Sequence, residues 1–180
     1  MDSGLAHRLQ EVVVWLEKEF SAIRTGRATP SLLDGVRVEA YGSMLPLNQV
    51  GSMGVEDART IRIAPWDTSQ VAAIERALRD ADLGVSVVTD SAGVRVVFPE
   101  LTSERRAQLT KLAKSKLEDA RIAVRGVRDE VLKDLEKRFK EGEVSEDEKF
   151  FEKETCQKQV DDINRKLEAL YTQKEAELGN

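Results

Sequence analysis

The 180-residue chain is short of the residue types on which most small-protein chemistry depends. Its single cysteine, Cys156, excludes an internal disulfide framework and fits a reducing compartment. Its single histidine, His7, leaves no His/Cys set for zinc, and no nucleophile is tied to it by spacing. Aromatic residues make up 5% of the chain, and no basic motif interleaved with aromatics, as in RNA-binding sheets, occurs. No apolar run nears the roughly 20 residues that span a bilayer, so no membrane segment is expected. The opening MDSGLAHRLQEVVVWLEKEF is acidic and amphipathic, unlike a signal or transit peptide, and a cytoplasmic protein is expected. The phosphate loop G-x-x-x-x-G-K-[ST], the dinucleotide turn G-x-G-x-x-G and the nucleophile elbow G-x-S-x-G are also missing. Glu146-Asp147-Glu148 reads as a capped, solvated helix start rather than an acid/base pair. A non-enzyme without a cofactor is the expectation.

Charge is abundant instead. Charged residues reach 34%, against about 25% in an ordinary globular protein, and the formal net charge is −5. Their distribution is uneven. All four prolines lie between Pro30 and Pro99, and no lysine occurs between Lys18 and Lys111. Residues 30–102 hold 6 basic and 10 acidic side chains, whereas the two flanks hold 22 and 23, almost twice the density. Such a shift is what one domain inserted into another produces, with 1–29 plus 103–180 as the host and 30–102 as the insert.

The flanks read as three helices. Leu5, Leu9, Val12, Leu16, Phe20 and Ile23 recur at steps of three and four, which predicts one apolar face in a helix ending near Gly26 or before Pro30. A second helix is predicted from Thr102 or Ser103 to about Lys140, with Leu109, Leu112, Leu117, Ala120, Val124, Val127, Val131 and Leu135 apolar and Gly142 as its stop. Ser145 and Glu148 have the capping-box spacing for a third, whose stripe is Cys156, Val160, Ile163, Leu167 and Leu170. Cys156 therefore reads as a small core residue rather than a reactive thiol. Three narrow apolar faces can be buried only against each other, so a long three-helix bundle follows.

In the insert, Val36, Val38 and Ala40 alternate up to Tyr41-Gly42, as do Ile61 and Ile63, and VSVV and VRVVF flank the turn-prone TDSAG. Asp67 and Gln70 are placed to cap a short helix ended by Gly84. The fold class expected is α+β: a long three-helix bundle with a small inserted β/α/β domain. Trp15 and Trp66 read as packing residues.

Between residues 103 and 128 there are eight basic and three acidic side chains, whereas 129–180 hold 10 basic and 16 acidic. Arg121, Arg125 and Arg128 follow an i, i+4, i+7 spacing, with Lys114 one heptad earlier, so all four share a helix face. Arginine forks suit phosphates and stack on bases. The same spacing equally serves ion pairs to Glu118 and to the acidic third helix. Arg24 and Arg27 form a second basic cluster where the first helix meets the insert. Gly126 costs about 1 kcal/mol inside a helix relative to alanine; it either admits a close neighbour or is merely tolerated.

The strings FSAIRTGRATPSLLDGVRVEAYG, LTSERRAQLTKL, ARIAVRGVRDE, EVSEDE and KEAEL occur in an order and spacing that resembles the bacterial ribosome recycling factor family over essentially the whole chain. The resemblance implies a bundle carrying an insert on two hinge strands, here around Thr29, Pro30, Leu101, Thr102 and Ser103. It implies a monomeric, non-enzymatic translation factor that binds the post-termination ribosome and, with elongation factor G and GTP, splits it into subunits. An RNA-contact role on large-subunit ribosomal RNA falls by this resemblance on Arg125 and Arg128, with Arg121 and Lys114 on the same face. Arg105 and Arg106 match a basic pair near the hinge, and Arg24 and Arg27 match the family's IRTGR string. The chain departs from the family pattern at Gly126, commonly asparagine; at Asp129, often basic; and at Glu100, often a second hinge proline. Rival classes are a coiled-coil adaptor with an exposed apolar seam and a hydrolase using carboxylates in the insert.

Overall fold

The computed structural model describes residues 2–179, which divide into two compact units, 2–24 with 103–179 and Thr25–Thr102. The first is built of helices: α1 Asp2–Ser21, α3 Ser103–Lys140 and α4 Glu146–Gly179, with α2, Val71–Asp80, belonging to the other unit. The three stripes meet as a bundle. Leu9, Val13, Leu16, Phe20 and Ile23 from the first segment are buried against Leu109, Ala113, Leu117, Ala120, Val124 and Val127 of α3. Cys156, Val160, Ile163 and Leu167 of α4 complete the core.

Two stripe positions differ from the sequence reading. Val13 is buried and Val12 only half so, because Leu9, Val13, Leu16, Phe20 and Ile23 step by 4, 3, 4 and 3 along one seam. Ala113 is fully buried while Leu112 stands 44% exposed, since the seam through Leu109, Ala113 and Leu117 leaves Leu112 a quarter-turn to the side. The first helix also stops early, at Ser21. There the Ser21 hydroxyl donates to the Lys18 carbonyl at 2.8 Å, and the Ile23 N–H tightens onto the Phe20 carbonyl at 3.0 Å.

Both ends of the α3–α4 connection follow from local chemistry. Gly142 takes φ +75°, which lets its N–H reach the Phe139 carbonyl at 3.1 Å and the Glu143 N–H reach the Arg138 carbonyl at 2.9 Å. Those two bonds satisfy carbonyls that the helix end would orphan. Three residues after Gly142, the Ser145 N–H donates to Glu148 Oε2 at 2.7 Å and the Glu148 N–H to Ser145 Oγ at 3.2 Å, the reciprocal capping box expected at this spacing. The Ser145 N–H, and then its hydroxyl, hold the Glu148 carboxyl below its ordinary value.

The second unit is antiparallel throughout. A two-stranded hairpin, β1 Arg37–Ala40 and β2 Ser43–Pro46, turns at Tyr41-Gly42, both at positive φ (53° and 76°). A four-stranded sheet has the order β3 Gly51–Asp57, β4 Thr60–Pro65, β6 Gly93–Val97, β5 Ser86–Asp90. The short helix α2, Val71–Asp80, follows a 3₁₀ turn at Thr68–Gln70 that Asp67 caps by accepting from the Ser69 N–H. Gln70 makes no cap of its own there. Strand, helix and strand thus come in the expected order, but β5 and β6 form a hairpin, so no parallel crossover is needed. Leu33, Val38, Leu47, Ile61, Ile63, Ile74, Leu78, Val94 and Val96 are its core.

The unit starts at Thr25, so Thr29 and Pro30 lie inside it. The Ala28 N–H donates to the Ala58 carbonyl and the Phe98 N–H to the Arg59 carbonyl, both at 2.8 Å, so incoming and outgoing chains are held on one β3–β4 turn. Arg59 also pairs with Glu100 at 3.4 Å. Trp66 packs less than its sequence context suggested and is 69% exposed, beside Asp67, which accepts the Tyr41 hydroxyl at 3.4 Å.

Candidate nucleic-acid interface

The middle helix carries the basic row on its outer side. Lys114, Arg121, Arg125 and Arg128 occupy one face over about 21 Å, at 1.5 Å per residue. Their inward neighbours Ala113, Leu117, Val124 and Val127 are buried, which fixes the helix's rotation and so the direction of the row. A groove of about 360 Å³ between α3 and α4 is lined by Arg121, Arg125 and Arg128 on one side, with Val124 at its floor and Val160 and Asn164 opposite. Asn164 Oδ1 is buried there without a hydrogen-bond donor among the described residues.

The arginines are not equivalent. Arg121 pairs with Glu168 of α4 and lies 3.9 Å from Glu118, so the ion-pair reading of the spacing holds for this residue. Arg128 is half-buried and pairs with its neighbour Asp129 at 3.1 Å. Arg125 is exposed and makes no ion pair among the described residues, and Lys114 is likewise exposed without one. Lys116, on the adjacent face, is engaged elsewhere: it pairs with Glu19 at 3.2 Å and lies 5.9 Å from the Trp15 ring centre. It ties α3 to α1 rather than extending the row.

Gly126 sits beside Arg125, and a Cβ there would meet nothing within 4 Å. Among the described residues no neighbouring helix packs against it at that distance. Cys156 lies behind Arg128; burial pushes its thiol up, and the Arg128 charge offsets this only in part. A protonated, buried thiol is a packing group. Among the described residues no three acidic, His or Cys side chains converge as a metal would require, and no helix is long and apolar enough to cross a membrane.

The remaining candidates are dispersed. Arg105 donates to Gln108 at 3.2 Å, while the Arg106 Nε is buried without a hydrogen bond among the described residues. Arg24 and Arg27 are exposed and fall in different units. What sequence reading missed is Phe150 and Phe151, 63% and 69% exposed on the first turns of α4. Their adjacency to the capping box was visible, but only the folded pairing of α4 with α3 puts Phe150 beside Arg128.

Comparison with known proteins gives a consistent result. The family profile described as Ribosome recycling factor matches residues 16–178. A ribosome-recycling factor of Rhizobium meliloti is 39% identical over 174 residues, covering 97% of this chain and 94% of that one. That of Chlorobaculum parvum is 42% identical over 171 residues, covering 95% and 92%. A solution structure of a ribosome recycling factor aligns with TM-score 0.66 at 34% identity, over 97% of this chain and 93% of that one. A second structure, of the T. thermophilus factor and the E. coli elongation factor G bound to the E. coli post-termination complex, aligns with TM-score 0.57 at 36% identity, over 98% and 95%.

Proposed function

This chain belongs to the ribosome recycling factor family, which consists of non-enzymatic translation factors, and on that premise we propose that it acts on the post-termination ribosome in the cytoplasm as a monomer. With elongation factor G and GTP it separates the ribosome into subunits, and the nucleotide belongs to the partner. The helical unit is the rigid part, docking its Lys114–Arg128 face on large-subunit ribosomal RNA. The Thr25–Thr102 unit is the part that the GTPase displaces, turning at its two ends: at Leu101, Thr102 and Ser103 on one side, and ahead of Thr29 and Pro30 on the other. Arg105, Arg106, Arg24 and Arg27 serve as further backbone contacts.

The observation that carries the RNA assignment is Arg125. It is an exposed guanidinium with no carboxylate partner among the described residues, set between two arginines lining the same groove. With Arg121 and Arg128 held by carboxylates, this guanidinium is the one on the groove left for a phosphate. The recycling role is tested by mixing purified elongation factor G, GTP and post-termination ribosomes with and without this protein. Subunit separation that needs all three supports it; unchanged ribosomes refute it. For the RNA face, Arg128→Ala is expected to weaken large-subunit binding by about 1–3 kcal/mol, the range of a lost charge-assisted contact. Unaltered binding with a flat salt response removes the arginine face from the interface.

A further inference from the structure

We infer that Phe150 is a stacking platform for one unpaired nucleobase at the α4 end of the arginine row, so that this face reads single-stranded or splayed RNA rather than only a duplex backbone. The inference deepens the proposed function and rests on the arginine face being the RNA contact.

A large ring left 63% exposed forgoes most of the burial that phenylalanine normally supplies to a core. Phe150 and Phe151 are adjacent on a helix and so point about 100° apart. Phe151 lines a different cleft with Leu5, Arg8 and Val131, on the other side of Cys156 and without a residue of the arginine row. Phe150 instead lines a cleft of about 280 Å³ with Arg128, Leu132, Lys153, Glu154 and Cys156. Arg128 also lines the groove that holds Arg121 and Arg125, so the two depressions share a wall. The row of cations therefore runs into a pocket with an apolar floor, an aromatic side and a lysine on its rim.

That sequence of groups matches a polynucleotide. Successive phosphates follow the cations while a base leaves the stack and lies on the ring, the arrangement by which single-strand binders hold bases of any identity. The volume is below the roughly 300–1,000 Å³ that encloses a drug-sized ligand, and suits one planar base. The cleft does not repel a polyanion: Lys153 and Arg128 stand against Glu154 and Asp129, the carboxylate that Arg128 pairs with. Lys149 lies 4.2 Å from the Phe139 ring centre, and among the described residues no cation is recorded over the Phe150 ring, which leaves it open.

The test is equilibrium binding of the full chain to purified bacterial large subunits and to their deproteinised RNA, from about 50 to 200 mM salt, for the parent and for Phe150→Ala, Phe150→Tyr, Phe151→Ala and Arg125→Ala. Loss of the ring is expected to weaken binding about 5- to 150-fold on both targets, with the salt slope and the melting temperature unchanged. Phe150→Tyr restores affinity, and Phe151→Ala behaves as the parent. If Phe150→Ala binds normally while Arg125→Ala weakens binding with a shallower salt slope, stacking is wrong and the arginine face stands. If Arg125→Ala is neutral, the arginine reading falls and takes this inference with it. A Phe150→Ala deficit that disappears on deproteinised RNA assigns the ring to a ribosomal protein and overturns base stacking.

Discussion

Glu168→Gln makes the sharpest demand on the arginine face, because it removes a contact and is expected to improve binding. In the free protein Arg121 is tied to Glu168 across the α3–α4 groove, with side chains 40% and 51% exposed. A pair this open is worth about 0.2–1 kcal/mol. To meet a phosphate, Arg121 has to give up that carboxylate, so the cost is carried by every binding event. Replacing the carboxylate by an amide of the same shape removes the cost and one repulsive charge beside the RNA. The expected gain is the value of the pair, about 1.5- to 5-fold in affinity. Bundle stability should fall by no more than about 1 kcal/mol, since the apolar seam beneath is untouched. Titration of a labelled chain with large subunits at several salt concentrations gives the affinity, and urea unfolding gives the stability. Weaker binding by Glu168→Gln at unchanged fold refutes the idea that Arg121 turns from Glu168 to the RNA. Unchanged binding alongside a strong Arg125→Ala defect confines Arg121 to a structural role.

Three further outcomes follow from other parts of the structure. Gly126→Ala meets no atom within 4 Å and should stabilise α3 by up to about 1 kcal/mol through helix propensity; a lower urea midpoint contradicts the open site. Ser145→Ala removes the oxygen that accepts the Glu148 N–H and should cost about 0.5–2 kcal/mol; an unaltered midpoint means that the cap is dispensable. In the Thr25–Thr102 unit, the Arg59 N–H holds Asp57 below its ordinary value, the Ser69 hydroxyl does so for Asp67, and the Ala92 N–H, then Arg62, for Asp90. Carboxyls depressed in the folded state give stability that is complete above an ordinary aspartate value of about 4 and lost as pH falls through the lower folded values. Melts from pH 6 to 2 should therefore show this unit weakening below about pH 4, and Asp90→Asn should flatten that acid limb; identical profiles for the two proteins refute the assignment.

Much of the helical unit is legible in one dimension because its determinants are local. The Ser145–Glu148 box and the Gly142 stop act within a few residues, and Leu9, Leu16, Phe20 and Ile23 define a seam by spacing alone. Choosing Val13 over Val12 is different: both satisfy steps of three and four between Leu9 and Leu16, and only the partner helices decide between them. Ala113, at steps of four from Leu109 and to Leu117, is instead hidden by the weak apolar signal of alanine beside Leu112. In the insert, β2 and β3 gave little signal. SMLP does not alternate, and Gly51 and Gly54 interrupt the apolar pattern of a strand whose stability comes from its partner β4. The basic row was visible as a helix face, but the difference between Arg121 and Arg125 was not. Glu168 lies 47 residues from Arg121, a separation that no periodicity bridges, and Phe150 comes to Arg128 by the same long-range pairing.

The double attachment at the β3–β4 turn has a consequence for how the chain folds. For α1 to find α3, the unstructured chain has to close a loop of about 80 residues, from the end of α1 at Ser21 to the start of α3 at Ser103. Once residues Ala28 and Phe98 are fastened to Ala58 and Arg59, that span behaves as two short leads of about a dozen residues in all. Loop-closure entropy scales as (3/2)RT ln n, so the folded insert lowers the cost of assembling the bundle by about 1.7 kcal/mol. The smaller unit thus acts as a folding scaffold for its host, and a substitution that unfolds the sheet should lower the stability of the helical unit as well.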